Sequence, residues 1–177
     1  MMSLDHRRLV FIDESSAKTN MTRLYGRSAV GERARDSIPT ATWNTTTMLA
    51  GIRAAGAKAP FVLSGPIDGD SFEIYVKRVL VPTLKPGDIV VMDNLSSHKN
   101  RRAREWIEAV GAVVMDLPPY SPDLNPIEKM WSKIKALLRG FKARTFEELV
   151  TAVGQAMASV TKEDIMGWFT SCGYDII

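Results

Sequence analysis

Two stretches of the chain end in the same way: Leu9-Val10-Phe11-Ile12-Asp13 and Ile89-Val90-Val91-Met92-Asp93. Each is a continuous apolar run rather than an alternating one, and so reads as a central strand covered on both faces. Each delivers an aspartate where the strand runs out. If the two strands pair, both carboxylates lie at the carboxyl edge of the sheet, where open α/β folds usually place their sites.

The rest of the chain supplies the other layers. Strands are expected around Asn20–Tyr25, Thr45–Ile52 and Pro60–Leu63, giving an early meander. After Gly65-Pro66, Phe72, Tyr75, Val76, Val79 and Leu80 fall at helical spacing over Asp70–Leu80, and Pro82 and Pro86-Gly87 stop that helix. A helix over Asn100–Val110, with Ala103, Trp106, Ile107 and Val110 on one side, leads to a last strand at Ala112–Met115. Strand-helix-strand order favours parallel pairing through right-handed crossovers. Pro118-Pro119-Tyr120-Ser121-Pro122 is a stiff connector into a long helix from Pro126 to Gly140, striped by Ile127, Met130, Trp131, Ile134, Leu137, Leu138 and Phe141. Helices near Thr145–Val160 and Thr161–Ser171 close the domain. The expected fold class is α/β, a mixed five-stranded sheet flanked by helices, in a single domain spanning residues 1–177.

With 177 residues, 45% hydrophobic and 24% charged, the chain has enough apolar material for one ordinary core. A net charge of +3 and a pI near 9.1 are mild for a nucleic-acid binder, so the distribution of charge carries more information than its total. The single Cys172 excludes an intrachain disulfide and suits a cytoplasmic setting. Neither a signal-peptide pattern nor an apolar run approaching the ~20 residues of a bilayer span is present. Two histidines and one cysteine argue against a structural zinc site.

Asp13, Asp93 and Glu128 are far apart in sequence, yet two end strands and the third opens a helix, so all three can converge on hard divalent cations. Each has a plainer explanation. Glu14 adjoins Asp13, and side chains alternate across a strand, so only one of the two faces the site. Asp93-Asn94 reads equally as a turn signal. Asn125, Pro126 and Glu128 match an N-cap, a first-turn proline and a capping-box acid. Asp116 and Asp123 are taken as structural. His98 either contacts a phosphate, assists proton transfer or bonds the backbone. His6 reads as a surface residue, and Trp43, Trp106, Trp131 and Trp168 as packing residues.

The basic residues cluster beside these acids: Lys99, Arg101, Arg102 and Arg104 after Asp93, and Lys129, Lys133, Lys135, Arg139, Lys142 and Arg144 after Glu128. Glu128, Ser132, Lys135 and Arg139 recur every three or four residues, forming one polar stripe along the long helix. Lys99, Arg101, Arg102, Lys135 and Arg139 are therefore candidate DNA contacts, against the plainer reading of a solvated helix face.

Asp13-Glu14, Asp93-Asn94 with His98, and Pro122-Asp123-Leu124-Asn125-Pro126-Ile127-Glu128 followed by Trp131 together resemble the catalytic domain of DDE transposases. The match is nearest to the mariner-like superfamily, in particular its bacterial insertion-sequence branch, which shares the spacing of 34 residues between Asp93 and Glu128. The resemblance implies an RNase H-like fold and two Mg²⁺ ions, with Mn²⁺ as a substitute. Asp13 would bridge both ions, Asp93 and Glu128 would each hold one, and Asn94 and His98 would stand behind them or at the phosphate. It also implies cut-and-paste movement of a DNA element, generally into TA dinucleotides, by a homodimer bound to DNA. The family's N-terminal helix-turn-helix DNA-binding region is expected to be absent, because the first catalytic strand begins within ten residues of Met1. An RNase H-like nuclease that only hydrolyses nucleic acid, and an inactive DNA-binding or dimerisation remnant of a transposase, stand as alternatives.

Overall fold

The computed structural model describes residues 5–37, 45–94, 98 and 100–175. Five strands, β1 (Leu9–Lys18), β2 (Thr45–Arg53), β3 (Gly56–Ser64), β4 (Ile89–Met92) and β5 (Val113–Asp116), form one sheet in the order β3-β2-β1-β4-β5. The β1/β2 and β2/β3 pairs are antiparallel, whereas β1/β4 and β4/β5 are parallel, so the sheet is mixed as expected. The helices are α1 (Gly69–Tyr75), α2 (Arg101–Ala109), α3 (Pro126–Phe141), α4 (Phe146–Ala158) and α5 (Lys162–Ser171). A single π-helical turn at Val76–Leu80 continues α1, accounting for the rest of the Asp70–Leu80 helical pattern.

The apolar runs of β1 and β4 are covered on both faces. Leu9, Phe11 and Val91 pack with Ile127, Met130, Trp131, Ile134 and Leu138 of α3 and with residues of α4 and α5. Val10, Ile12, Val90 and Met92 point the other way, into a second cluster with Phe72, Tyr75, Ala103 and Ile107 from the α1 and α2 side. Each fully buried aliphatic or aromatic side chain contributes roughly 1.5–3 kcal/mol, which is why the two central strands tolerate no polar residue before Asp13.

One expected strand does not form. Beyond Lys18 the chain makes a turn at Thr19 and Asn20, and residues 21–37 run irregularly with Leu24, Tyr25 and Val30 exposed. The physical reason is competition: β1 itself continues past its apolar run, pairing Asp13–Lys18 against Ala50–Thr45, and β3 takes the other edge of β2. No free edge is left beside β2 for Asn20–Tyr25.

Polar contacts fix the layers relative to one another. A buried ion pair joins Arg53, at the end of β2, to Asp88, just before β4, at 2.6 Å, and Asp88 also accepts from the Lys85 backbone N–H at 2.8 Å. Helices α4 and α5 each begin with a complete capping box, Thr145/Glu148 and Thr161/Asp164. Lys133 of α3 pairs with Asp164 and donates to the Ser159 carbonyl at 3.0 Å, tying α3 to α5.

The tryptophans divide. Trp131 is 2% exposed in the larger core and Trp168 packs against it, as expected. Trp106 departs from expectation: it is 36% exposed, with the Lys77 ammonium 4.1 Å above its ring. On α2 only Ala103 and Ile107, four residues apart, face inward, and Trp106 falls at the margin of that stripe. Trp43 lies outside the described residues. His6, rather than standing free on the surface, bonds the Asp175 carbonyl through Nδ1 at 2.8 Å and packs edge-on against Tyr174.

Candidate active site

Strands β1 and β4 run parallel with Phe11 opposite Val91, so extending that register by two residues sets Asp13 beside Asp93 at the carboxyl end of β4, although β1, contrary to expectation, does not run out at Asp13 but continues to Lys18. Alternation along β1 then separates neighbours. Asp13 shares the face of Phe11, toward α3, and Glu14 shares the face of Ile12, toward α1 and α2.

Asp13 is only 6% exposed, and its Oδ1 accepts from the Glu14 backbone N–H at 2.8 Å. Burial, with repulsion from Glu128 and Asp93, outweighs that bond and pushes its carboxyl up to about 8. Glu128 and Asp93 thus stand near enough to Asp13 to disfavour its charge.

Glu128 sits in the first turn of α3 and is exposed. The expected capping box is not made: Asn125 occupies the N-cap position without a side-chain cap bond, and its buried Oδ1 has no hydrogen-bond partner. Glu128 is therefore not held by helix capping, unlike Glu148 and Asp164 at the starts of α4 and α5. With Asp93, Asn94 and Asn125 it borders a cleft of about 480 Å³, rimmed by the proline-rich connector and by Tyr120. Tyr120 is fully exposed and holds a φ of +56°, a strained conformation for an aromatic residue. On its other side Glu128 borders a second cleft, of about 520 Å³, with Glu14, Ser15, Thr47 and Lys135.

His98 is fully buried, its ring 4.7 Å from that of Phe72. Nδ1 donates to Asp93 Oδ1 at 2.6 Å and Nε2 to Glu14 Oε2 at 2.7 Å. Two carboxylates facing the two ring nitrogens call for a proton on each. Burial opposes that charge, but the bonds to Asp93 and Glu14 and their negative charges prevail and lift the ring's pKa to about 9. The ring thus stands behind Asp93, bonded to two carboxylates rather than to the backbone. Asn94 donates from Nδ2 to the Leu117 carbonyl at 2.6 Å, joining the end of β4 to the chain beyond β5.

The donor set suits a hard dication. Asp13, Asp93 and Glu128 offer only carboxylate oxygens, and the partial exposure of Asp93 and Glu128 leaves room for the waters such an ion retains. Among the described residues, no three histidine, cysteine, aspartate or glutamate side chains form a closed ligand set as they stand.

Of the basic candidates, Lys135 lines the cleft beside Glu128, and Arg139, a turn further on, is half-buried. Arg101 and Arg102 are exposed at the start of α2, Arg101 3.0 Å from Glu105 and Arg102 3.9 Å from Glu73. Lys99 lies outside the described residues. Four others are structural: Lys133 pairs with Asp164, Arg104 with Asp116 at 2.6 Å and Lys142 with Asp36 at 2.8 Å, and Arg144 donates to the Thr19 and Met21 carbonyls at 2.8 and 3.1 Å. The sequence reading missed four exposed arginines, Arg23, Arg27, Arg33 and Arg35, on the irregular stretch after β1. Their recurrence with no apolar alternation was the available signal.

The family model for the DDE superfamily endonuclease matches residues 8–150. The Tc1 transposase of Caenorhabditis elegans is 31% identical over 72 residues, covering 41% of this chain and 26% of that protein. The Tcb2 transposase of Caenorhabditis briggsae is 37% identical over 51 residues, covering 29% and 19%. This chain therefore spans about a quarter or less of those relatives. The catalytic domain of Mos1 mariner transposase superposes with a TM-score of 0.70 at 16% identity, covering 94% of this chain and 77% of that one. A Mos1 mariner paired end complex with Mn gives 0.73 at 19%, covering 97% and 54%. At such identities the likeness is one of fold, and the fold is RNase H-like.

Proposed function

This chain belongs to the DDE superfamily of endonucleases, and from that membership we propose that it is the catalytic domain of a mariner-like cut-and-paste DNA transposase. Membership implies the use of divalent metal, and the finer reading is two Mg²⁺ ions, replaceable by Mn²⁺, held by Asp13, Asp93 and Glu128. Bound there, the ions would stabilise the attacking and leaving oxygens of an in-line displacement at phosphorus. The observation that carries the reading is Asp13, a buried carboxylate that resists ionisation because of its burial and because Glu128 and Asp93 stand near it. Such a cluster favours an added cation.

The protein's own residues do the rest. Asp13 supplies a fixed ligand from a rigid strand, while Glu128 approaches from a helix start between two clefts. Lys135 and Arg139 carry the DNA backbone along α3 toward the acids, Arg101 and Arg102 meet it from the α2 side, and Lys99 is a further candidate contact. The DNA partners are the ends of an element and a target, generally a TA dinucleotide, engaged by a homodimer. Residues 1–177 form one catalytic domain, and recognition of the element's ends belongs to a separate helix-turn-helix region.

The test is to incubate supercoiled DNA with Mg²⁺ or Mn²⁺ and compare nicking by the intact chain and by Asp93→Ala, with EDTA and a short duplex bearing a free 3′-hydroxyl included. Nicking that needs both metal and Asp93, with joining of the short duplex, is expected. Metal-dependent nicking without joining would assign a nuclease instead. Equal nicking by both proteins would remove Asp93 from the site.

A further inference from the structure

Glu14 faces away from the Asp13 side of the sheet, yet its carboxylate is largely buried and takes His98 Nε2–H at 2.7 Å. The opposite nitrogen of the same ring donates to Asp93 Oδ1 at 2.6 Å. We propose that Glu14 and His98 are positioning residues of the active site, a strut that passes from the α1/α2 side of the sheet to its carboxyl edge and sets the orientation of the Asp93 carboxylate. The proposal rests on the reading of Asp93 as a metal ligand.

The strut meets the chain where the strand stops: β4 ends at Met92, and Asp93 is the next residue. His98 can fix it because the ring is itself immobilised. It is fully buried and packs at a tilt against Phe72 with ring centres 4.7 Å apart, and two residues later Asn100 anchors the chain by donating to the Gly69 carbonyl at 2.8 Å and accepting from the Ala103 N–H at 3.1 Å. A ring so enclosed and bonded at both nitrogens does not reach a phosphate. Charge-assisted bonds of this length are among the stronger polar contacts in proteins, and groups that orient a ligating carboxylate typically alter metal affinity 10- to 100-fold when removed. Glu14 reaches Asp93 through this ring, while it also lines the cleft beside Glu128.

The test measures the Mn²⁺ dissociation constant of the full chain by calorimetry, with thermal midpoints and with kcat and KM for DNA nicking. The proteins compared are wild type, Asp93→Asn, Glu14→Gln, His98→Gln and the Glu14→Gln/His98→Gln pair. Glu14→Gln and His98→Gln are each expected to weaken Mn²⁺ about tenfold or more and to lower kcat with KM for DNA unchanged. The pair should be no worse than His98→Gln alone, because both act through one ring. Additive losses in the pair would overturn the strut. So would wild-type Mn²⁺ affinity in Glu14→Gln beside a large loss in Asp93→Asn, which leaves the site reading intact. Wild-type affinity in Asp93→Asn would instead sink the site reading. Should His98→Gln fail to fold, Glu14→Gln, nearly isosteric with the native residue, decides the question alone.

Discussion

Asp13→Asn should make the metal-free protein more stable, and increasingly so as the pH rises. The Asp13 carboxyl titrates near 8 instead of 3.8, so between those values the folded chain holds a proton that the unfolded chain has lost. Folding stability therefore falls as pH climbs from about 4 to 8 and levels off outside that window. At about 1.4 kcal/mol per pH unit the accumulated cost at pH 8 is on the order of 5 kcal/mol. For a domain of this size that corresponds to a midpoint on the order of 10 °C higher in the asparagine variant. The amide still accepts the Glu14 N–H, so the charge alone is removed. His98 adds a decline of the same sign in a later window, because its ring is lifted from 6.5 to about 9 and its contribution, complete below 6.5, is lost as pH rises through 9. The expected pattern in EDTA, followed by thermal melts from pH 5 to 9, is a wild-type midpoint that falls throughout and an Asp13→Asn midpoint that holds until about 6.5. Mn²⁺ should raise the wild type most at high pH, where it replaces the missing proton. Parallel curves for the two proteins would refute the reasoning.

Three further outcomes are expected. Trp131→Ala should cost roughly 3–5 kcal/mol in chemical denaturation, because the ring is 2% exposed in the core; a loss of DNA binding at unchanged stability would instead mark it as a base-stacking residue. Arg53→Met should cost about 3–5 kcal/mol by stranding the buried Asp88 carboxylate, and Arg53→Met/Asp88→Leu should recover much of it; equal stability of the single and double variants would count against a buried pair. Lys135→Glu and Arg139→Glu should each weaken DNA binding and lower the slope of log affinity against log salt by about one, measured by fluorescence anisotropy at several salt concentrations; unchanged slopes would reject the stripe along α3.

The parts legible in the sequence were those encoded by short-range pattern. The unbroken apolar runs ending at Asp13 and Asp93 announced central strands, and the three-and-four spacing from Ile127 to Leu138 announced the buried face of α3. Asp13 was legible as the end of the apolar run, but not as the strand's end, because β1 continues to Lys18. What pattern could not supply was competition and contact. Asn20–Tyr25 lost its place because β1 continued through a polar stretch, Asp13-Glu14-Ser15-Ser16, that no hydrophobic pattern marks as strand. The bridge through His98 joins residues 84 and 5 positions away, a closure that only the folded sheet creates. Asn125 and Glu128 fitted a capping rule that the folded backbone did not use, since the N-cap side chain turned into a buried position without bonding the helix.

The alternation of Asp13 and Glu14 has a consequence for when the site comes into being. One of these neighbours belongs to the layer of α3, the other to the layer of α1 and α2, and the acids complete their set only with Glu128, late in the chain. A sheet with one layer docked therefore presents half a cluster: Glu128 without the strut, or the strut without Glu128. Assembly of the acids thus reports that both hydrophobic layers are closed, and a chain still emerging from synthesis carries the residues without yet carrying the centre.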